Sequence, residues 1–156
     1  MVRAFAGACR RGTGGVLCLT KILLANDGSE GAFKALGTAI SLAKHYQAEL
    51  HMICVEELPM LPTTIDEVVE EREEADHRYE KVIERAQSLC YMQDVDVVTH
   101  VVYGHPVPAI IDFIQKHGID HLVIGFMGHS AIYNRIIGGK SDKLVRLAPC
   151  SITVVK

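Results

Sequence analysis

Residues 125–142 read "GFMGHSAIYNRIIGGKSD", and how this glycine-rich run is taken decides the fold. Its end, Gly-Gly-Lys-Ser, has the letters that close a phosphate-binding P-loop. Such a loop needs GxxxxGK and then Ser or Thr, directly after a strand. Counting back from Gly139-Lys140-Ser141 puts Asn134, not glycine, at the first position, and the apolar run HLVIG (121–125) lies too far upstream. It is not a P-loop. What stands there is Gly125-x-x-Gly128, nine residues, and then Gly138.

That spacing still suits anion binding. Gly125 and Gly128 can turn the chain at a strand's end and let backbone approach a ligand. Gly138 and Gly139 precede a helix expected from about Ser141, whose free amides at the positive end would face the same crevice. The Ser141 hydroxyl can cap that helix or bond a phosphate oxygen, and Lys140 can add a charge. The spacing alone serves a merely shaped loop equally well.

Working outward, apolar runs bounded by turn residues predict strands at 20–25 (TKILLA), 48–55, 95–103, 121–125 and 151–156. Helical spacing predicts helices after Ser29, over 66–90, over 109–116 and over 141–148, with Ser29 as the first cap and Gly104 to Pro108 as a turn. The loop before the second helix carries Pro59 and Pro62. The acids of that helix, Glu70 and Glu71 among them, fit a solvated face. Strands alternating with helices through short connections imply right-handed crossovers and a parallel sheet covered on both faces, an α/β doubly wound domain. Ligands of such folds sit beyond the carboxyl ends of the strands, where strand order reverses.

At 156 residues the chain fits one domain with a real core. The net charge of −3 and the lack of a basic, aromatic-studded stripe argue against nucleic acid, and no run is long enough to span a membrane. Five cysteines without a CxxC pair read as reduced thiols serving as small hydrophobes in a cytoplasmic protein. His117 and His121 have metal-pair spacing, but Gly118 and a strand intervene. Residues 1–19, with three arginines, four glycines and no acid, read as a disordered leader ahead of a domain at 20–156.

Gly-2x-Gly-9x-Gly after the fourth strand resembles the ATP-binding signature of the universal stress protein family. "KILLANDGSEGAFKAL" is similar to that family's opening strand and turn, "VYGHPVPAII" to its Gly-x-Pro turn, and "SDKLVRLAPCSITVVK" to its closing helix and strand. The resemblance runs from about Lys21 to Lys156 and implies a five-stranded, Rossmann-like sheet in order 3-2-1-4-5, with ATP between strands one and four. By position, Ala25, Asn26 and Asp27 would line the adenosine side and Val55 would offer backbone to the adenine edge. Gly125, Gly128, Gly138, Gly139, Lys140 and Ser141 would hold ribose and phosphates. Asp27 could hold a metal ion, Mg²⁺ accompanying ATP.

Three departures point to weaker ATP binding. Gly139 stands where the family has Ser or Thr, and Ala25 where proline is common. His129 follows the second glycine instead of preceding it. The implied function is a nucleotide-binding stress-response module, a dimeric regulatory protein with a protein partner to which sequence gives no clue. The alternatives are a slow ATP hydrolase or phosphotransferase, for which Asp27 and His129 are the candidate groups, and a dimer that binds no nucleotide. The last strand, at a sheet edge, is expected to pair with its copy in a homodimer, and proline at Thr153 to disfavour that pairing.

Overall fold

The computed structural model describes residues 19–57, 65–126 and 139–156, and within 65–78 the backbone alone. Its elements are β1 (Lys21–Ala25), α1 (Glu30–Tyr46), β2 (Glu49–Glu56), α2 (Ile65–Met92), β3 (Val97–Tyr103), α3 (Pro106–His117), β4 (His121–Gly125), α4 (Lys140–Leu147) and β5 (Ser151–Val155). All strand pairs are parallel, in the order β3-β2-β1-β4-β5. This is the doubly wound sheet expected from the sequence.

The period of two along each strand divides the core between the two faces. Ile22 and Leu24 pack with Leu36, Ala39 and Ile40 of α1 and with Tyr79 and Ala86 of α2. Leu23 faces the other way and packs with Ile110, Phe113 and Ile114 of α3 and Leu144 of α4. Ile22, Leu23 and Leu24 have no exposed surface, as a central strand covered on both sides requires. Leu19, grouped with the leader by composition, is 3% exposed and belongs to the α1–α2 side of the core. The remainder of that expected leader lies outside the described residues.

Local chemistry sets the helix starts. The Ser29 side chain accepts the amide of Ala32 and caps α1. The expected turn through Pro108 is corrected: α3 begins at Pro106, with proline in its first turn. Proline has no amide to lose there and its fixed φ suits a helix start, so Pro106 and Pro108 open the helix. Cys54 and Cys90 are buried, and burial pushes their thiols up to about 12 and about 11, so both stay protonated small apolar groups.

The ends of the sheet opposite the crevice are tied by Asp120. Its carboxylate accepts the Thr20 amide at 2.8 Å, the Thr20 hydroxyl at 2.7 Å and the Lys21 amide at 3.2 Å. At the other margin, β5 has only β4 as a neighbour among the described residues. The Ser151 amide donates to Asp120 and the Val155 carbonyl accepts from Phe126. Residues 151, 153 and 155 therefore turn their backbone groups inward, and Ile152 and Val154 turn theirs to the open edge. The expectation placed on Thr153 is thus corrected, since its amide serves the internal ladder.

Candidate functional site

Strand order reverses at β1, with β2 on one side and β4 on the other. The helix after β1 packs on one face and the helix before β5 on the opposite face. In doubly wound sheets ligands bind in the crevice at such a reversal, which here falls between the carboxyl ends of β1 and β4.

From β1 come Ala25, Asn26 and Asp27. Asn26 is 2% exposed; its amide nitrogen donates to the Met52 sulfur and its Oδ1 accepts the Gly28 amide at 2.9 Å. That side chain builds the turn, and its backbone N–H donates to the Ile53 carbonyl at 2.9 Å. Asp27 is exposed, and its Oδ1 accepts the Ser29 amide at 3.1 Å. Gly28, at φ 81°, makes the left-handed step into α1.

From β2 comes Val55. The Glu49 amide donates to Thr20 and the Ile53 carbonyl accepts from Asn26, so the odd-numbered residues of β2 face β1. Since β1 ends at Ala25, the same alternation turns the backbone of Val55 beyond that strand, toward the crevice. Its carbonyl also accepts the Tyr79 hydroxyl at 3.1 Å. A carbonyl has a second lone pair, so this bond leaves capacity for a ligand donor.

From β4 and α4 come Gly125, Gly139, Lys140 and Ser141. A Cβ on Gly125 would lie 2.7 Å from the carbonyl of Gly31 and 3.0 Å from the Ala32 amide. The glycine is there so that β4 can pass against the first turn of α1. The expected cap of α4 is corrected: Gly139 is the N-cap, at φ −63° and ψ 172°, and among the described residues no side chain caps the helix. Ser141 lies inside α4, and its hydroxyl donates to the Gly125 carbonyl at 3.4 Å. Lys140 pairs with Glu57 at 2.9 Å. Gly128, His129 and Gly138 lie outside the described residues.

Two residues of this region escaped the sequence reading. Tyr79 is a buried core residue of α2, and only its hydroxyl hints at a polar task. Glu57 was one acid among many and carried no signal beyond its place just after a strand.

The histidines with metal-pair spacing have other surroundings. His121 Nε2 is 2.9 Å from the Thr153 hydroxyl, and the His117 ring stacks on Phe113 at 4.0 Å. Among the described residues no three His, Cys, Asp or Glu side chains group as metal ligands. No described helix is long and apolar enough to cross a membrane.

A five-stranded parallel sheet in the order β3-β2-β1-β4-β5, with helices on both faces, defines an α/β doubly wound domain. The universal stress protein family profile matches residues 19–156, and the chain belongs to that family. It is 29% identical over 148 residues to the universal stress protein YxiE of Bacillus subtilis, covering 87% of this chain and 98% of that one. A universal stress protein of Thermus aquaticus is 30% identical over 138 residues, covering 86% and 97%. Among solved structures, the universal stress protein UspA from Lactobacillus plantarum superposes with a TM-score of 0.81 at 25% identity, covering 90% and 100%. A universal stress protein in complex with cAMP (TM-score 0.70, 19% identical, covering 90% and 99%) and one from Archaeoglobus fulgidus in complex with dAMP (0.62, 20%, covering 90% and 100%) share the fold.

Proposed function

We propose that this chain is an adenine-nucleotide-binding module of the stress response, taking ATP with Mg²⁺ in the β1–β4 crevice. It acts as a cytoplasmic homodimer whose nucleotide occupancy alters its fit to a protein partner. The observation that carries the reading is the meeting, at one end of the sheet, of the Val55 backbone and the start of α4, where Gly139 leaves the first amides without a side-chain cap among the described residues. A backbone N–H and C=O side by side match the acceptor and donor on the Watson–Crick edge of adenine. The first amides of α4 and the ammonium of Lys140 suit phosphate oxygens. Asp27, exposed beside them, is a hard oxygen donor of the kind Mg²⁺ takes, in company with phosphates. The cAMP and dAMP complexes of relatives are further support for adenine.

The test is to denature freshly purified protein and identify any nucleotide released, then to titrate the stripped protein with ATP and GTP by calorimetry while monitoring ADP. Released adenine nucleotide, or saturable ATP binding in preference to GTP with negligible ADP formation, is the expected result. No nucleotide and no ATP binding at millimolar concentration would overturn the reading. Several turnovers per second would replace the module with an enzyme.

A further inference from the structure

The ion pair between Lys140 and Glu57 joins two elements that are not neighbours. Glu57 follows β2, Lys140 opens α4 after β4, and β1 runs between β2 and β4. Two strand spacings separate those strands, roughly 10 Å. Ser141, next to Lys140, bonds the Gly125 carbonyl at the end of β4, so the pair links the carboxyl-end side of β2 to that of β4, meeting at 2.9 Å with both side chains about half exposed (50% and 49%). The bridge therefore stands at the carboxyl end of the sheet, beside the switch point between β1 and β4. Lys140 is also the cation that stands at the start of α4, where phosphate is expected, and Asp27 after β1 adds a second carboxylate at that end of the sheet.

We propose that Glu57 sets the charge preference of the crevice, by holding Lys140 in an ion pair that a phosphate chain must displace. This rests on the nucleotide reading above and adds a residue to it. A neutral nucleoside can enter under the bridge or beside it without taking Lys140 from its partner. A polyphosphate has to take Lys140 from the carboxylate and then lie close to the carboxylate it released. Glu57 thus disfavours ATP relative to adenosine, with AMP between them. Because the pair is half exposed the effect is modest, and salt screens it.

The experiment is calorimetric titration of adenosine, AMP and ATP into the full chain, for wild type, Glu57→Gln, Lys140→Gln and the double variant, at low salt, with EDTA and again with Mg²⁺. Both side chains are half exposed, so the variants should fold as wild type does, which circular dichroism checks. Glu57→Gln should tighten ATP roughly three- to five-fold, as expected of a half-exposed pair, AMP by less, and leave adenosine within about two-fold. Lys140→Gln should weaken ATP, and in its background Glu57→Gln should gain much less. Should wild type bind ATP while Glu57→Gln leaves the ATP-to-adenosine ratio unchanged, the proposal fails and the nucleotide reading stands. Weakened ATP binding in Glu57→Gln that appears only with Mg²⁺ would also overturn it, making Glu57 a metal ligand instead. No binding of any of the three by any variant would remove the nucleotide reading and this proposal together.

Discussion

Nδ1 of His51 lies 3.2 Å from Nε2 of His100, across the β2–β3 pair. Two neutral imidazoles can share that contact as donor and acceptor, but two protonated rings would point N–H groups at each other. Burial lowers the pKa of His51 below 6.5; Glu49, 3.5 Å from its Nε2, opposes the shift, while Lys21 and His117 add to it. Burial also lowers His100, helped by His51 and His117. The unfolded chain then binds more protons than the folded one just below pH 6.5, so stability is full above that pH and is lost as pH falls through it. Urea denaturation at pH 7.5, 6.5 and 5.5 should show the decline, and His100→Gln should flatten it. An equal slope in that variant would place the acid sensitivity elsewhere.

Gly125 and Gly37 give opposite predictions for the same change. A Cβ on Gly125 meets backbone of α1 at 2.7 Å, whereas at Gly37, inside α1, it meets nothing within 4 Å. Gly125→Ala should destabilise by about 1–3 kcal/mol, the usual cost of overpacking against groups that cannot yield. Gly37→Ala should stabilise by up to about 1 kcal/mol through helix propensity. Thermal melts of the two variants beside wild type would show Tm moving in opposite directions.

The carboxylate of Asp120 serves three donors at the start of β1, of which the Thr20 hydroxyl, at 2.7 Å, is the shortest. Asp120→Ala should cost about 1–2 kcal/mol, at the lower end for charged hydrogen bonds because the site is partly exposed. Its position at the far end of the sheet predicts no change in nucleotide affinity. Chemical denaturation and an ATP titration of the same sample check both halves.

Gly139→Ser restores the hydroxyl that the family signature carries at that position. The N-cap backbone is extended, and a Cβ there meets nothing within 4 Å, so serine fits without strain. As a cap it should add only a few tenths of a kcal/mol to stability. As a phosphate ligand it should tighten ATP by roughly the ~1 kcal/mol of a net hydrogen bond. Comparing Tm without ligand and ATP affinity separates the two roles; a gain in Tm alone assigns serine to the helix.

What the sequence made legible is what depends on neighbours in the chain. Ile22, Leu23 and Leu24 announce a strand buried on both faces, and Ser29 announces the helix after it. The alternation of such elements implies a parallel sheet covered on both faces, while its strand order came from the family resemblance. The start of α3 was misplaced because Pro106 and Pro108 suit a turn and a first helical turn alike, and only packing of Ile110 and Phe113 decides between them. Of the two roles open to Ser141, cap or phosphate ligand, the first falls because the helix starts one residue earlier, at Lys140, with Gly139 as its N-cap. Contacts between distant positions leave no such trace. Glu57 and Lys140 are 83 positions apart, and Tyr79 reaches Val55 across 24.

The edge strand β5 carries the last prediction. Inward bonds from Phe126 to Val155 at 2.7 Å and from Ser151 to Asp120 at 3.3 Å leave the amides of Ile152 and Val154 directed at the open edge. An edge with no second strand among the described residues invites one, and antiparallel pairing of two copies about a two-fold axis would close it. Proline at Val154 removes an outward donor and leaves the bonds to β4 intact. Proline at Thr153 removes an inward amide instead, and with it the hydroxyl that meets His121 at 2.9 Å. Val154→Pro should therefore give a folded monomer, and Thr153→Pro a destabilised protein whatever its assembly. Light scattering coupled to gel filtration at micromolar concentration, with circular dichroism on the same fractions, reads both. A Val154→Pro variant that keeps a dimeric mass would put the interface on another face, and a monomeric wild type would end the edge-pairing proposal.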